Sequence, residues 1–262
     1  MVLSISIAAV ADILREVAAA EVLPRFRNLS DADIRAKTSP QDLVTRADLE
    51  AERVLGQRLP DLLPGSVMVG EEGVFADPSV LDRMSGDAPV WVVDPVDGTG
   101  NFARGEPTFA LVVALVHRGQ TVAGWILDPV GECLAAAEQG GGVTLNGRPA
   151  RLGPEPVRLG ALHGCAYGRR GKALKGRVRR LHYPGSAAHA YLRLLDGRYH
   201  FAAFSRLMPW DHAAGVLMLL EAGGVGRLID GTPYAPTRRD GELLLASTGE
   251  TWTDLAAILT RG

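Results

Sequence analysis

The chain has 262 residues, 47% of them apolar and 22% charged, with a formal net charge of −2. That length buries a substantial core as one large domain or two intimate ones, and the charge balance gives no support for nucleic acid as the main partner. No stretch approaches the roughly 18 uninterrupted apolar residues of a membrane span, and Cys133 and Cys165 lie far apart without metal-type spacing, as buried small hydrophobes of a reducing compartment do.

The apolar stretch from Val2 to Val10 lacks a basic leader, and Asp12, Arg15 and Glu16 follow at once. Ile7, Val10, Ile13, Leu14 and Val17 recur at helical spacing, so an amphipathic first helix is expected rather than a secretion signal, and a cytoplasmic protein with it. Residues 28–41 are polar and read as a loop or exposed hairpin. Asp42 to Leu63 reads as a helix closed by Pro64-Gly65. Val67-Met68-Val69 and Val90 to Val93 are short buried strands; the first runs into Glu71-Glu72 and the second into Asp94-Pro95-Val96-Asp97-Gly98-Thr99. Pro95 forbids further strand, which puts both aspartates at the strand end. Phe109 to Val116 and Thr121 to Leu127 form a hairpin, and a further strand pair flanks Gly140-Gly141-Gly142, closing at Asn146-Gly147.

Pro149, Gly153, Pro154 and Pro156 mark a join, giving an N-terminal domain over 1–150 and a C-terminal one over 151–262. In the second, a strand over 159–166 precedes a basic run, 169–180, with seven arginines and lysines. A helix from Gly185-Ser186-Ala187-Ala188 to Leu195, a strand over 199–204 and a helix over 210–222 follow. Strands over 227–229 and 243–246 and a last helix from about Thr253 complete the chain.

Three groups of carboxylates lie at the ends of apolar elements: Glu71 and Glu72, Asp94 and Asp97, and Asp211. Carboxylate oxygens suit Mg²⁺, which is held through a few carboxylates plus substrate phosphate. Gly98 lets backbone approach a ligand, and helix-opening amides attract anions. Taken singly, each has a structural reading: an Asp-Gly turn capped by Asp94, a solvated Glu72, a helix cap at Asp211.

Gly70-Glu71-Glu72, the Asp94 to Thr99 run with Asn101-Phe102, and Pro209-Trp210-Asp211 with Gly215 together resemble the inositol monophosphatase family. Asp42-Leu43-Val44-Thr45 with Asp48, Gly185-Ser186-Ala187-Ala188 and Glu221-Ala222-Gly223-Gly224 match in the same order, so the resemblance spans about residues 5–260. It implies an α/β fold of layered αβαβα type, like that of fructose-1,6-bisphosphatase, assembled as a homodimer. It also implies lithium-sensitive, Mg²⁺-dependent phosphomonoesterase activity with two or three ions. Glu71, Asp94 and the Val96 carbonyl would hold one ion, and Asp94, Asp97 and Asp211 a second, with a third near Glu71. Thr99, supported by Asp48, would orient or deprotonate the attacking water, with Glu71 completing the catalytic set. The Gly98 and Thr99 amides would bind phosphate oxygens, and Asp97, Asp211, Gly185, Ser186 and Ala187 would border the substrate. An Asp97→Asn variant is expected to lose activity with the fold intact.

The chain departs from the pattern where many inositol monophosphatases carry a glutamate for the polyol ring. Counting back from Asp211 reaches Phe204, followed by Ser205 and Arg206, and no acid occurs between Asp196 and Asp211. Arginine there favours a second phosphate or carboxylate on the substrate, or is simply a surface residue. The basic run recruits an anionic substrate or is a solvated face. Three readings follow: hydrolysis of inositol monophosphate or a related polyol or sugar phosphate, the same chemistry on 3′-phosphoadenosine 5′-phosphate, fructose 1,6-bisphosphate or histidinol phosphate, or binding of a phosphorylated ligand without turnover. The Asp-x-x-Asp-Gly-Thr spacing is one residue longer than the Asp-x-Asp of phosphatases with an aspartyl nucleophile.

Overall fold

A computed structural model describes residues 5–38, 43–153 and 158–260; Asp42 and the join prolines Pro154 and Pro156 lie outside them. Ser6 caps the first helix, α1 (Ile7–Val17), whose Val10, Ile13, Leu14 and Val17 are buried as the spacing requires. β1 (Ile34–Ala36) pairs antiparallel with β2 (Leu43–Thr45), so strand occupies part of what reads as helix. The helix α2 (Arg46–Leu62) starts later because Thr45 and Asp48 cap its N-terminus reciprocally.

β3 (Val67–Gly70) leads into α3 (Glu71–Ala76) and lies parallel to β4 (Val90–Asp97). After the short α4 (Thr99–Ala103), the chain forms β5 (Ala110–His117), β6 (Gln120–Asp128), β7 (Cys133–Glu138), β8 (Gly142–Leu145) and β9 (Arg148–Pro149). They complete a seven-stranded sheet in sequence order, antiparallel from β4 onward.

The rest of the chain builds a second sheet. Its elements are β10 (His163–Ala166), α5 (Gly168–Leu174), β11 (Arg180–His182), α6 (Ala187–Leu195), β12 (Phe201–Phe204), α7 (Pro209–Glu221), β13 (Val225–Leu228), β14 (Leu243–Ala246) and α8 (Gly249–Leu259). The strand expected over 159–166 is shorter, because Leu162 N–H bonds back to the Leu159 carbonyl and holds a turn outside the ladder. The five strands run in the order β11-β10-β12-β14-β13.

Alternation along the strands divides the core into three clusters. Trp91, Val93 and Val96 of β4 pack with α1 and α2 on one face of the large sheet. Val90 and Val92 face the other way and join α6, α7 and residues Ala202, Leu243 and Leu245 of the small sheet. The outer face of the small sheet, Phe201, Ala203 and Leu244, packs on α5 and α8 through Leu174, Leu255 and Leu259. The layers are thus helix, sheet, helix, sheet, helix. α7 lies in the middle layer, which is why Ala213 to Leu219 read as continuously apolar. Among the described residues no helix is long and apolar enough to cross a membrane.

Candidate active site

The centre is set by an irregularity in β4. Asp94 pairs with Val112 and Asp97 with Ala110, so three steps along β4 match two along β5. Residues three apart on a regular strand point to opposite faces; one extra residue offsets that alternation. Pro95 sits inside this bulge rather than ending the strand, because a bulge tolerates a residue without N–H. Asp211 arrives from the first turn of α7 on the other side. Carboxylate oxygens of Asp94, Asp97 and Asp211 lie within 4.8 Å of one another. Met208, not Asp211, holds the N-cap position of α7, so the cap reading of Asp211 is replaced by this cluster.

Asp97 is also a cap across the molecule. It accepts from the Ser186 hydroxyl, from Ala187 N at 3.1 Å and from Ala188 N at 2.7 Å, all at the start of α6. Hydrogen bonds to a charged group contribute about 1.5–3 kcal/mol each. Asp97→Asn would therefore disturb the fold as well as the site, contrary to the expectation from volume alone.

Burial, first of all, raises the carboxyl pKa values of Asp94, Asp97 and Asp211. Repulsion adds to it: Glu71, Asp97 and Asp211 act on Asp94, and Asp97 and Glu71 act on Asp211. On Asp97 the hydrogen bonds from Ser186, Ala188 and Ala187 pull the other way. A buried, all-oxygen, like-charged donor set of this kind fits a hard dication.

That electrostatic strain gives a direct expectation. Folded-state pKa values above the unfolded ones mean the acids favour the metal-free fold at low pH and cease to do so as pH rises through the native values. Mg²⁺ competes with those protons, so the rise in melting temperature on adding Mg²⁺ should grow as the pH is raised from the acid side. At 100 times Kd the stabilisation is about 2.7 kcal/mol. A melting temperature indifferent to Mg²⁺ at the upper pH would remove the metal assignment.

Glu71 is placed differently from the aspartate trio. Lys37 Nζ lies 2.8 Å from Glu71 Oε1 and 2.6 Å from Glu72 Oε1, with its side chain only 2% exposed. Burial works against the ammonium charge, yet Glu71 and Glu72 together raise its pKa. Burial also pushes Glu72 up to about 8, against the hydrogen bond from Lys37. Glu52, one helical turn beyond Asp48 on α2, accepts from Glu72 N at 2.8 Å and Gly73 N at 2.7 Å and so fixes the start of α3. Sequence reading gave no role to Lys37 or Glu52. The only local signal was the i, i+4 pair of acids, Asp48 and Glu52, both buried on α2.

Thr99 Oγ1 lies 3.0 Å from Asp48 Oδ1 and 3.0 Å from the Val96 carbonyl. Asp48 is fully buried and accepts from Thr45 N at 2.9 Å and from the Thr45 hydroxyl. Burial raises its pKa to about 6, with the Thr45 bonds opposing. Gly98 has φ 94°, and a Cβ there would sit 2.8 Å from the Thr108 carbonyl oxygen. The turn that presents Thr99 therefore requires glycine.

A cavity of ≈ 360 Å³ opens beside Asp97 and Asp211 and is lined by Gly185, Ser186, Ala187 and Arg206. Phe204, where a polyol-binding acid was sought, lines it too and stacks on Tyr191 at 6.0 Å between centroids. His212 is structural: Nε2 lies 2.7 Å from the Arg206 carbonyl and Nδ1 3.1 Å from the Tyr191 hydroxyl. Burial lowers its pKa to about 4, so it stays neutral and holds the loop bearing Arg206.

Known proteins give the same picture. The family described as "Inositol monophosphatase family" matches residues 5–261. The chain is 35% identical over 198 residues to a Rhizobium meliloti inositol-1-monophosphatase, covering 71% of each. It is 32% identical over 199 residues to a Thermotoga maritima fructose-1,6-bisphosphatase/inositol-1-monophosphatase, covering 74% of each. Among solved structures, a Thermotoga maritima IMPase superposes with a TM-score of 0.84 at 27% identity, over 97% of this chain and 96% of that one.

Proposed function

The chain belongs to the inositol monophosphatase family of metal-dependent phosphomonoesterases, and from that premise we propose that it hydrolyses a small polyol or sugar phosphate, inositol monophosphate by default. The convergence of buried Asp94 and Asp97 with half-buried Asp211 carries this reading. In it, Glu71, Asp94, Asp97, Asp211 and the Val96 carbonyl hold two or three Mg²⁺ ions. When bound, Mg²⁺ supplies charge neutralisation for the phosphate and acidifies water.

The protein's own groups do the rest. Thr99 donates to Asp48, which leaves its lone pairs free to accept from the attacking water and aim it at phosphorus. Asp48, with a pKa near 6, is suited to receive the proton at Oδ1. The Gly98 and Thr99 amides steady phosphate oxygens, while Gly185, Ser186, Ala187 and Arg206 border the leaving group. Residues 1–150 supply most metal ligands, and 151–262 supply Asp211 and the substrate pocket. A homodimer in the cytoplasm completes the reading.

Phe204 in place of an acid, with Arg206 beside it, favours doubly anionic esters under the same chemistry, 3′-phosphoadenosine 5′-phosphate or fructose 1,6-bisphosphate; histidinol phosphate, whose ammonium an arginine repels, is the remaining alternative. The Thr99–Asp48 pair weighs against a mere binding protein, since binding needs no water-orienting hydroxyl. Phosphate release from these esters and inositol 1-phosphate in Mg²⁺ tests the reading. Release should stop with chelator and fall in tens of millimolar lithium; turnover that persists in chelator would reject it, and indifference to lithium would reject lithium sensitivity alone.

A further inference from the structure

Of the seven basic residues in 169–180, only Arg170 turns inward: it is 8% exposed, while Arg169, Lys172, Lys175, Arg177, Arg179 and Arg180 are exposed. A buried guanidinium is costly unless paired and hydrogen-bonded. Arg170 pairs with Glu242, but Glu242 also reaches Arg169 at 3.3 Å, so one carboxylate serves two arginines. Arg170 Nε is buried with no hydrogen-bond partner.

Arg170 lines the same ≈ 360 Å³ cavity as Asp97 and Asp211. Arg206 lines it as well, exposed and without an ion pair to any described residue, on a loop pinned by His212. The cavity lining thus combines the carboxylates of Asp97 and Asp211 with two guanidinium groups, and Phe204 in the same lining offers no acceptor for a polyol hydroxyl.

We infer that Arg170, with Arg206, forms a second anion subsite in this cavity, so that the preferred substrate carries a phosphate or carboxylate on its leaving group as well as the phosphate to be removed. A planar, permanently charged fork matches either oxyanion bidentately. The inference rests on the phosphomonoesterase reading and, within it, puts doubly anionic esters ahead of inositol monophosphate as the preferred class. Arg170 selects the substrate; it does not take part in the chemistry.

The test compares kcat/KM for matched pairs that differ in the second anion: fructose 1,6-bisphosphate against fructose 1-phosphate, and 2-phosphoglycerate against glycerol 2-phosphate. The native protein should prefer the doubly anionic member of at least one pair by about tenfold or more, and that pair identifies the anion. Arg170→Gln should shrink the ratio mainly through KM, with Arg170→Lys recovering part of it. Arg206→Gln, at an exposed position, should shrink it too and serves alone if Arg170→Gln does not melt cooperatively. Equal rates within both pairs, or a preference that survives substitution, overturns the subsite while the phosphatase reading stands. No release from any of the four or from p-nitrophenyl phosphate in Mg²⁺ rejects that reading, and the subsite with it.

Discussion

Asp94→Asn should lower phosphate release in Mg²⁺ by at least about 100-fold, since even groups that merely support metal ligands are worth 10–100-fold. The same variant should make the metal-free protein more stable. Asp94 is buried beside Glu71, Asp97 and Asp211, and removing its charge relieves repulsion that the fold otherwise bears. The hydrogen bond that Val96 N donates to Asp94 Oδ1, at 3.0 Å, is kept by an asparagine oxygen. The native carboxyl holds its proton above the ordinary range, so its charged form costs stability as pH rises, and the advantage of the variant should widen from acid toward neutral pH. Steady-state rates and chelator-treated melting curves measure the two effects. A variant with near-native turnover, or one that melts lower than the native chain without metal, would show that the carboxylates are not a strained ion site.

Thr99→Ala should cut kcat by about 10²–10⁴, the usual worth of a positioned proton-transfer group, with a much smaller change in KM. The backbone amide of residue 99 survives the substitution, so phosphate binding is retained while the hydroxyl bonded to Asp48 is lost. Thr99→Ser restores the hydroxyl and should recover most of the rate. If alanine leaves kcat intact, or if KM rises in proportion, Thr99 binds substrate and does not orient water.

Periodicity made the elements legible, as in the apolar stripe of α1, the short apolar run of β4 and the helix α7, while the order of the layers came only through the resemblance to a family. Boundaries failed where a few atoms decide them, as at Thr45 and Asp48, whose reciprocal cap delays α2. Pro95 misled for a related reason: a proline stops a regular strand, and nothing local announces the bulge that accommodates it. Carboxylates gathered at the ends of apolar elements pointed to a Mg²⁺ site by their chemistry, whereas the division of ligands between ions and the role of Thr99 came through the resemblance to a family pattern. Lys37 stayed unseen because its partners lie 34 and 35 residues away. Arg170 was visible as a charge, but charges surround that short helix and do not say which one faces inward.

The bonds from Asp97 to the start of α6 span 89 to 91 residues and tie the large sheet to the helices beneath the small one. Asp211 closes the same centre from α7. Asp94 and Asp97 thus acquire their third neighbour only where elements from the two sheets meet. A ligand that bridges Asp97 and Asp211 acts as a clasp as well as a participant in chemistry. By mass action it draws partly assembled chains toward the native form. An inhibitor aimed at this centre would raise the standing amount of the protein it silences.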